Sequence, residues 1–192
     1  MSKILTSIVF IILITALSAN AYAEDGGTLG NGYFALKVDD INFQEDIWET
    51  NDIEKSYYVA IEGYGHINHN IYVGGELGYA RPTGTVSGTK TELTYIPFEV
   101  NVKYVVAIVK ALQFDFGIGA SAINVDWVTV PGSISGDPDE AWVLGAQGFV
   151  NFNLVIKRFF IGADAKYQVT QNAVGGTNLD NYRIGAHIGF TF

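Results

Sequence analysis

The sequence predicts an all-β protein, an eight-stranded antiparallel up-and-down transmembrane β-barrel behind a cleavable signal peptide. Three observations carry this. The chain opens with an export-type leader, alternating hydrophobic runs recur along the rest of it, and the last run stops on an aromatic residue in Ala186-His187-Ile188-Gly189-Phe190-Thr191-Phe192. Although 48% of residues are hydrophobic, no later stretch offers the roughly 20 continuous apolar residues of a spanning helix. A chain of this kind that enters a membrane has only the closed barrel open to it, because every backbone polar group must be paired there.

Residues 1–23 form the leader. Lys3 supplies its positive charge, 4–17 is apolar apart from Thr6, Ser7 and Thr15, and Ala21-Tyr22-Ala23 gives a small-x-small cleavage pattern before Glu24. The apolar run is short for a retained anchor. Residues 24–192 are then one barrel domain, long enough for eight tilted strands of roughly 9 to 11 residues.

Eight runs rich in Tyr, Phe, Val and Ile alternate with polar or tiny residues, near 33–43, 57–67, 71–81, 93–104, 112–122, 142–154, 159–170 and 179–192. The intervals between them alternate in length. Residues 44–56, 82–92 and 123–141 are long, 68–70 and 155–158 are tight, 105–111 is shorter, and 171–178 is intermediate. Short turns on one rim and long loops on the other place the short rim, and both termini, in the periplasm of an outer membrane. Pro97 lacks a ladder donor and calls for a bulge or a later strand start. The apolar stretch 105–111 fits either an extension of two strands or a helical turn at the membrane surface.

Composition excludes several classes of function. Without cysteine there is no disulfide staple, thiolate metal site or cysteine nucleophile. The net charge of −9, one unit more negative once Lys3 leaves with the leader, argues against nucleic acid.

Strand parity separates two surfaces. One holds Val59, Ile61, Val73, Leu77, Phe98, Val100, Val102, Phe114, Phe116, Ile118, Phe152, Phe159, Ile161, Val169, Ile184, Ile188 and Phe190. The other holds Lys37, Glu62, Glu76, Glu99, Asn101, Lys103, Gln113, Asp115, Gln147, Asn151, Asn153, Asp164, Lys166, Gln168 and Arg183 among glycines. A soluble lipocalin-like barrel would bury the first set, so alternation alone does not choose. The leader joined to a terminal aromatic strand favours the inverted arrangement. So do aromatic girdles at Tyr57, Tyr79, Tyr167 and Tyr182 toward the long loops, and at Tyr104, Phe159, Phe190 and Phe192 toward the short turns. A turn centred on His69 sets Tyr64 opposite Gly74 and Ala60 opposite Gly78, the size matching a narrow lumen requires.

The chain resembles the small eight-stranded outer-membrane barrels typified by the transmembrane domain of outer-membrane protein A and the opacity-type surface proteins. The resemblance rests on Gly189-Phe190-Thr191-Phe192, on Tyr95-Ile96-Pro97-Phe98-Glu99-Val100-Asn101-Val102-Lys103-Tyr104 and on Phe114-Asp115-Phe116-Gly117-Ile118-Gly119-Ala120. It implies that Phe190 and Phe192 form a signal read by the barrel assembly machinery. No periplasmic domain follows Phe192, so a peptidoglycan tether is not expected.

The same register puts Glu62 directly opposite Glu76, both inward, where two carboxylates need cationic partners. Lys37, Lys103, Lys166 and Arg183 can supply them, with Glu99, Asp115 and Asp164 completing a lumen charge network. That network either plugs the barrel or gates it by exchanging partners. His66, His69 and His187 lie toward the periplasmic end, away from outer-leaflet substrates, so an enzyme is not expected, nor a cofactor or metal centre. Five acids in 44–55, with Asp126, Asp137, Asp139 and Glu140, suit a solvated rim or, less readily, divalent cations bridging to lipopolysaccharide. Trp48, Trp127 and Trp142 suit loop packing, the lipid interface or a partner anchor. The expected function is that of a monomeric surface or envelope-structural protein with a filled polar lumen, in contact with outer-membrane lipid and lipopolysaccharide. The alternative is a narrow channel or transporter for small solutes; an outer-leaflet lipid-modifying enzyme is a more distant one.

Overall fold

The computed structural model describes residues 29–44, 49, 53, 55–86, 89–109, 111–129, 141–171 and 178–192. The expected leader at 1–23, Trp48 and most of the acidic loop residues lie outside them. Nine strands follow in order: β1 (Gly32–Phe43), β2 (Lys55–Asn68), β3 (Ile71–Ala80), β4 (Thr83–Val86), β5 (Thr89–Val109), β6 (Leu112–Thr129), β7 (Ala141–Ile156), β8 (Phe159–Thr170) and β9 (Asn181–Thr191). Every pairing is antiparallel, β1 pairs with β9, and β3 pairs with β5, which closes the sheet. Because β4 continues β3 beyond the break at Arg81-Pro82 and pairs only with β5, the closed barrel is eight-stranded.

The barrel is polar inside and apolar outside. Leu36, Ile118 and Ile184 are 60%, 67% and 59% exposed, whereas Glu99 and Arg183 are fully buried. Both girdles are exposed on the outer wall. Phe98 shares the outward parity of Val100 and Val102 but is buried beside Trp142, whose ring lies 5.9 Å away.

Several expected boundaries move. Of the stretch 105–111, residues 105–109 extend β5, so the β5–β6 ladder reaches Val109–Leu112, with a register shift between Ala107 and Val109. Pro97 causes neither a bulge nor a later start. The β6 ladder runs through it to Ile123, while on the β3 side no pairing is formed between Leu77–Phe98 and Ala80–Tyr95. Its missing N–H therefore falls on the β3 seam. The stretches expected as long loops at 82–92 and 123–141 are partly strand, because β5 and β6 stay paired as far as Thr91 and Thr129. There they rise past their other neighbours, whose pairing stops at Ala80–Tyr95 and Val125–Ala141. At the opposite rim, β2–β3 and β7–β8 are joined by tight turns in which His69 (φ 49°) and Lys157 (φ 60°) adopt left-handed backbone, the geometry such turns impose.

Candidate functional site: the lumen

The β2–β3 register is the one a turn at His69 predicts: Tyr64 faces Gly74, Ala60 faces Gly78 and Glu62 faces Glu76. All nine expected network residues, Lys37, Glu62, Glu76, Glu99, Lys103, Asp115, Asp164, Lys166 and Arg183, are buried in the interior. Glu76 accepts from Lys37 Nζ (3.2 Å), Lys166 Nζ (2.8 Å), Arg183 Nη1 (3.2 Å) and the Tyr58 hydroxyl (2.6 Å). Arg183 Nη2 and Lys166 Nζ also donate to Glu99, each at 2.5 Å. The Arg183 guanidinium lies over the Tyr58 ring, 4.4 Å from its centroid.

A second set of contacts forms a closed circuit. Lys37 pairs with Asp164 (3.1 Å), and Asp164 Oδ1 meets His187 Nδ1 (2.9 Å). His187 Nε2 faces Asn153 Oδ1 (2.6 Å), and Asn153 Nδ2 donates to Asp115 (3.0 Å). Asp115 accepts from Lys103, which donates to the Tyr33 hydroxyl (2.7 Å). Tyr33 donates to Glu62 (2.9 Å), and Glu62 lies 4.0 Å from Lys37. Asp115 can only accept, so it fixes the Asn153 amide with its oxygen toward His187. The His187 ring is thereby held at both nitrogens, between Asp164 and Asn153.

Two apolar layers bracket this middle, and neither was expected. Toward the short turns, Tyr33 stacks on Tyr64 (5.2 Å) and meets Phe160 edge-on (5.1 Å), while Lys103 lies over both tyrosine rings. Leu29, 1% exposed, joins this layer, its N–H donating to the Tyr72 hydroxyl at 2.8 Å. Toward the long loops, Ile41, Phe43, Ile53, Leu93, Tyr95, Ile123, Val125, Val143 and Leu179 form a second cluster. The expected polar lumen is thus an ionic slab between two apolar lids.

Tyr58 and Asp39 are further interior residues beyond the expected network. Parity could have found both, since Tyr58 follows outward Tyr57 and Asp39 lies two positions beyond Lys37. His66 is buried near the short turn, His69 is exposed in it, and His187 belongs to the circuit. Phe190 and Phe192 lie outside near Phe34, at 6.1 and 5.6 Å between centroids. Of the rim tryptophans, Trp142 sits on the outer wall at 52% exposure.

This inside-out barrel can be set beside solved structures. Neisserial surface protein A superposes with a TM-score of 0.65 at 12% identity, covering 85% of this chain and 98% of that one. The attachment invasion locus protein of Yersinia pestis gives 0.52 at 12% identity over 83% and 97%, and its complex with the heparin analogue sucrose octasulfate gives 0.54 at 13% over 83% and 97%. The chain has the fold of the small eight-stranded outer-membrane barrels. No family model matches the sequence, and no curated protein matches it.

Proposed function

We propose that the chain is a monomeric outer-membrane surface protein whose barrel is a sealed, rigid mount and whose long-loop rim makes the external contacts. The observation that carries this is the closure of the lumen. A buried ion network with its cations engaged lies between two packed apolar layers, and an eight-stranded barrel is only wide enough for side chains. A network whose cations are all paired across the lumen in this way holds the barrel rigid rather than opening a path. In this reading the short-turn rim and both termini face the periplasm, and Phe190 with Phe192 is the mark read by the assembly machinery. The exposed wall contacts lipid, and the acidic rim sits among lipopolysaccharide.

Beyond the barrel wall, β4, β5 and β6 continue as a three-stranded sheet. One of the solved barrels was crystallised with a polyanion. The many acids of 44–55 and 126–140 oppose a ligand of that charge here, so a cationic or cation-bridged partner suits this rim better.

Single-channel recording of residues 24–192 refolded into planar bilayers tests the reading, with heat-shifted gel mobility showing that the barrel has formed. Silence from folded protein is expected. Reproducible discrete conductance steps would overturn it in favour of a narrow channel.

A further inference from the structure

Six carboxylates are buried in the lumen: Asp39, Glu62, Glu76, Glu99, Asp115 and Asp164. Against them stand the cations Lys37, Lys103, Lys166 and Arg183, so carboxylates outnumber the lysine and arginine side chains among the described residues of the lumen. The excess has a location. Asp39 is 1% exposed, and neither of its carboxylate oxygens has a hydrogen-bond donor among the described residues. The nearby cations point elsewhere, Lys37 to Glu76 and Asp164, and both terminal nitrogens of Arg183 to Glu76 and Glu99. A buried carboxylate left alone in this way costs several kcal/mol unless a cation or a proton meets it.

Its surroundings are built of oxygen. Asp39 and Asp164 both pair with Gly185, one from each side, and all three positions face the lumen. A Cβ at Gly185 would collide with the Asp39 carboxylate, so the glycine is what lets that group lean over the β9 backbone. Asn151 pairs with Asp164 in the same row. Its amide nitrogen donates to Asp115 at 3.2 Å, leaving Oδ1 without a donor, as is Asp164 Oδ2 apart from its ion pair with Lys37. We propose that the lumen binds one small monovalent cation, sodium or potassium, between the carboxylates of Asp39 and Asp164 above Gly185, with the Asn151 carbonyl as a further ligand. The oxygen donors suit a hard cation. Asp164 is already paired with Lys37 and Asp39 alone is without a partner, so one added charge suffices, which selects a monovalent ion over a divalent one.

Thallium(I), a monovalent ion with a strong anomalous signal, is the probe. Crystals of the barrel refolded in a thallium(I) salt are expected to show an anomalous peak beside Asp39, and crystals of folded Asp39→Asn none there. Replacing potassium by the bulky N-methylglucamine cation at constant ionic strength is expected to lower the wild-type melting midpoint by about 2–4 °C, a shift Asp39→Asn does not share. Wild-type crystals without a peak at Asp39 overturn the proposal whether or not the variant folds. So does a melting midpoint that ignores the cation and follows pH alone, since the charge would then be met by a proton.

Discussion

Glu62 and Glu76 face each other directly across the β2–β3 ladder, both pointing inward, yet their surroundings are unequal. Glu76 is met by Lys37, Lys166, Arg183 and Tyr58, whereas Glu62 accepts from Tyr33 and has only a distant lysine at 4.0 Å. Two like charges at adjacent inward positions are tolerated because one of them collects the cations of β1, β8 and β9.

The inequality predicts unequal losses. Glu76→Gln takes the shared charged acceptor from three buried cations, leaving Lys37 with Asp164, and Lys166 and Arg183 with Glu99, and is expected to cost about 3–5 kcal/mol, while Glu62→Gln, which weakens one charged hydrogen bond, costs about 1–3 kcal/mol. Urea unfolding in lipid vesicles, followed by gel mobility, measures both. Equal losses would contradict the partner assignment. Both folded variants are expected to stay electrically silent; a rise in conductance for Glu76→Gln would mean the network is a gate.

The outer wall supplies a separate test of which solvent surrounds it. Ile118 lies midway along β6 and is 67% exposed, paired with Val102 and Gly148. On a lipid-facing wall, Ile118→Arg is expected to cost about 2–4 kcal/mol. On a water-facing wall the same change stays within about 0.5 kcal/mol. Unfolding free energies in bilayers decide between them, and a negligible effect would refute the membrane arrangement.

Size matching inside the barrel was legible in the sequence as opposition, but the packing is diagonal. Ala60 faces Gly78, yet the side chain that fills the space above Gly78 is Tyr58, whose hydroxyl reaches Glu76 at 2.6 Å. Gly78→Ala is therefore expected to push the Tyr58 ring off its site and cost about 1–3 kcal/mol, and the loss should shrink in a Tyr58→Ala background. A double-mutant cycle measures this. Strict additivity would show that the two positions do not communicate.

What the sequence made readable follows the same physics. The Glu62–Glu76 pairing could be read because a tight turn fixes register, and register fixes every later pair on the hairpin. The Arg183–Glu99 contact could not, because β9 and β5 are brought across the lumen only by closure of the whole sheet. Ile123 and Val125 read as loop although Ile123-Asn124-Val125-Asp126 keeps the alternation, because the apolar residues there fall on the inward parity that is polar or tiny along β6 up to that point. In the structure these positions pair with Pro97 and Tyr95 and cap the lumen. Asp39 was readable by parity from Lys37, but its lack of a partner depends on where the cations of other strands point.

The C-terminal aromatics separate folding from delivery. Phe192 lies on the outer wall beside Phe34 and Phe190, its N–H donates to Gly32 O at 3.0 Å, and its carbonyl accepts from Asn31 N–H at 2.8 Å. The backbone bonds survive a side-chain change, so Phe192→Ser removes only exposed ring contacts, worth about 0.5–1.5 kcal/mol. Refolding into detergent micelles is accordingly expected to proceed almost as for the wild type. If the side chain is a mark read by the assembly machinery, the amount inserted in the outer membrane of cells should fall several-fold for the same variant. Quantifying folded protein by gel mobility in both settings separates the two roles. A parallel loss in micelles and in cells would make Phe192 a packing residue alone, and undiminished insertion in cells would remove the recognition role.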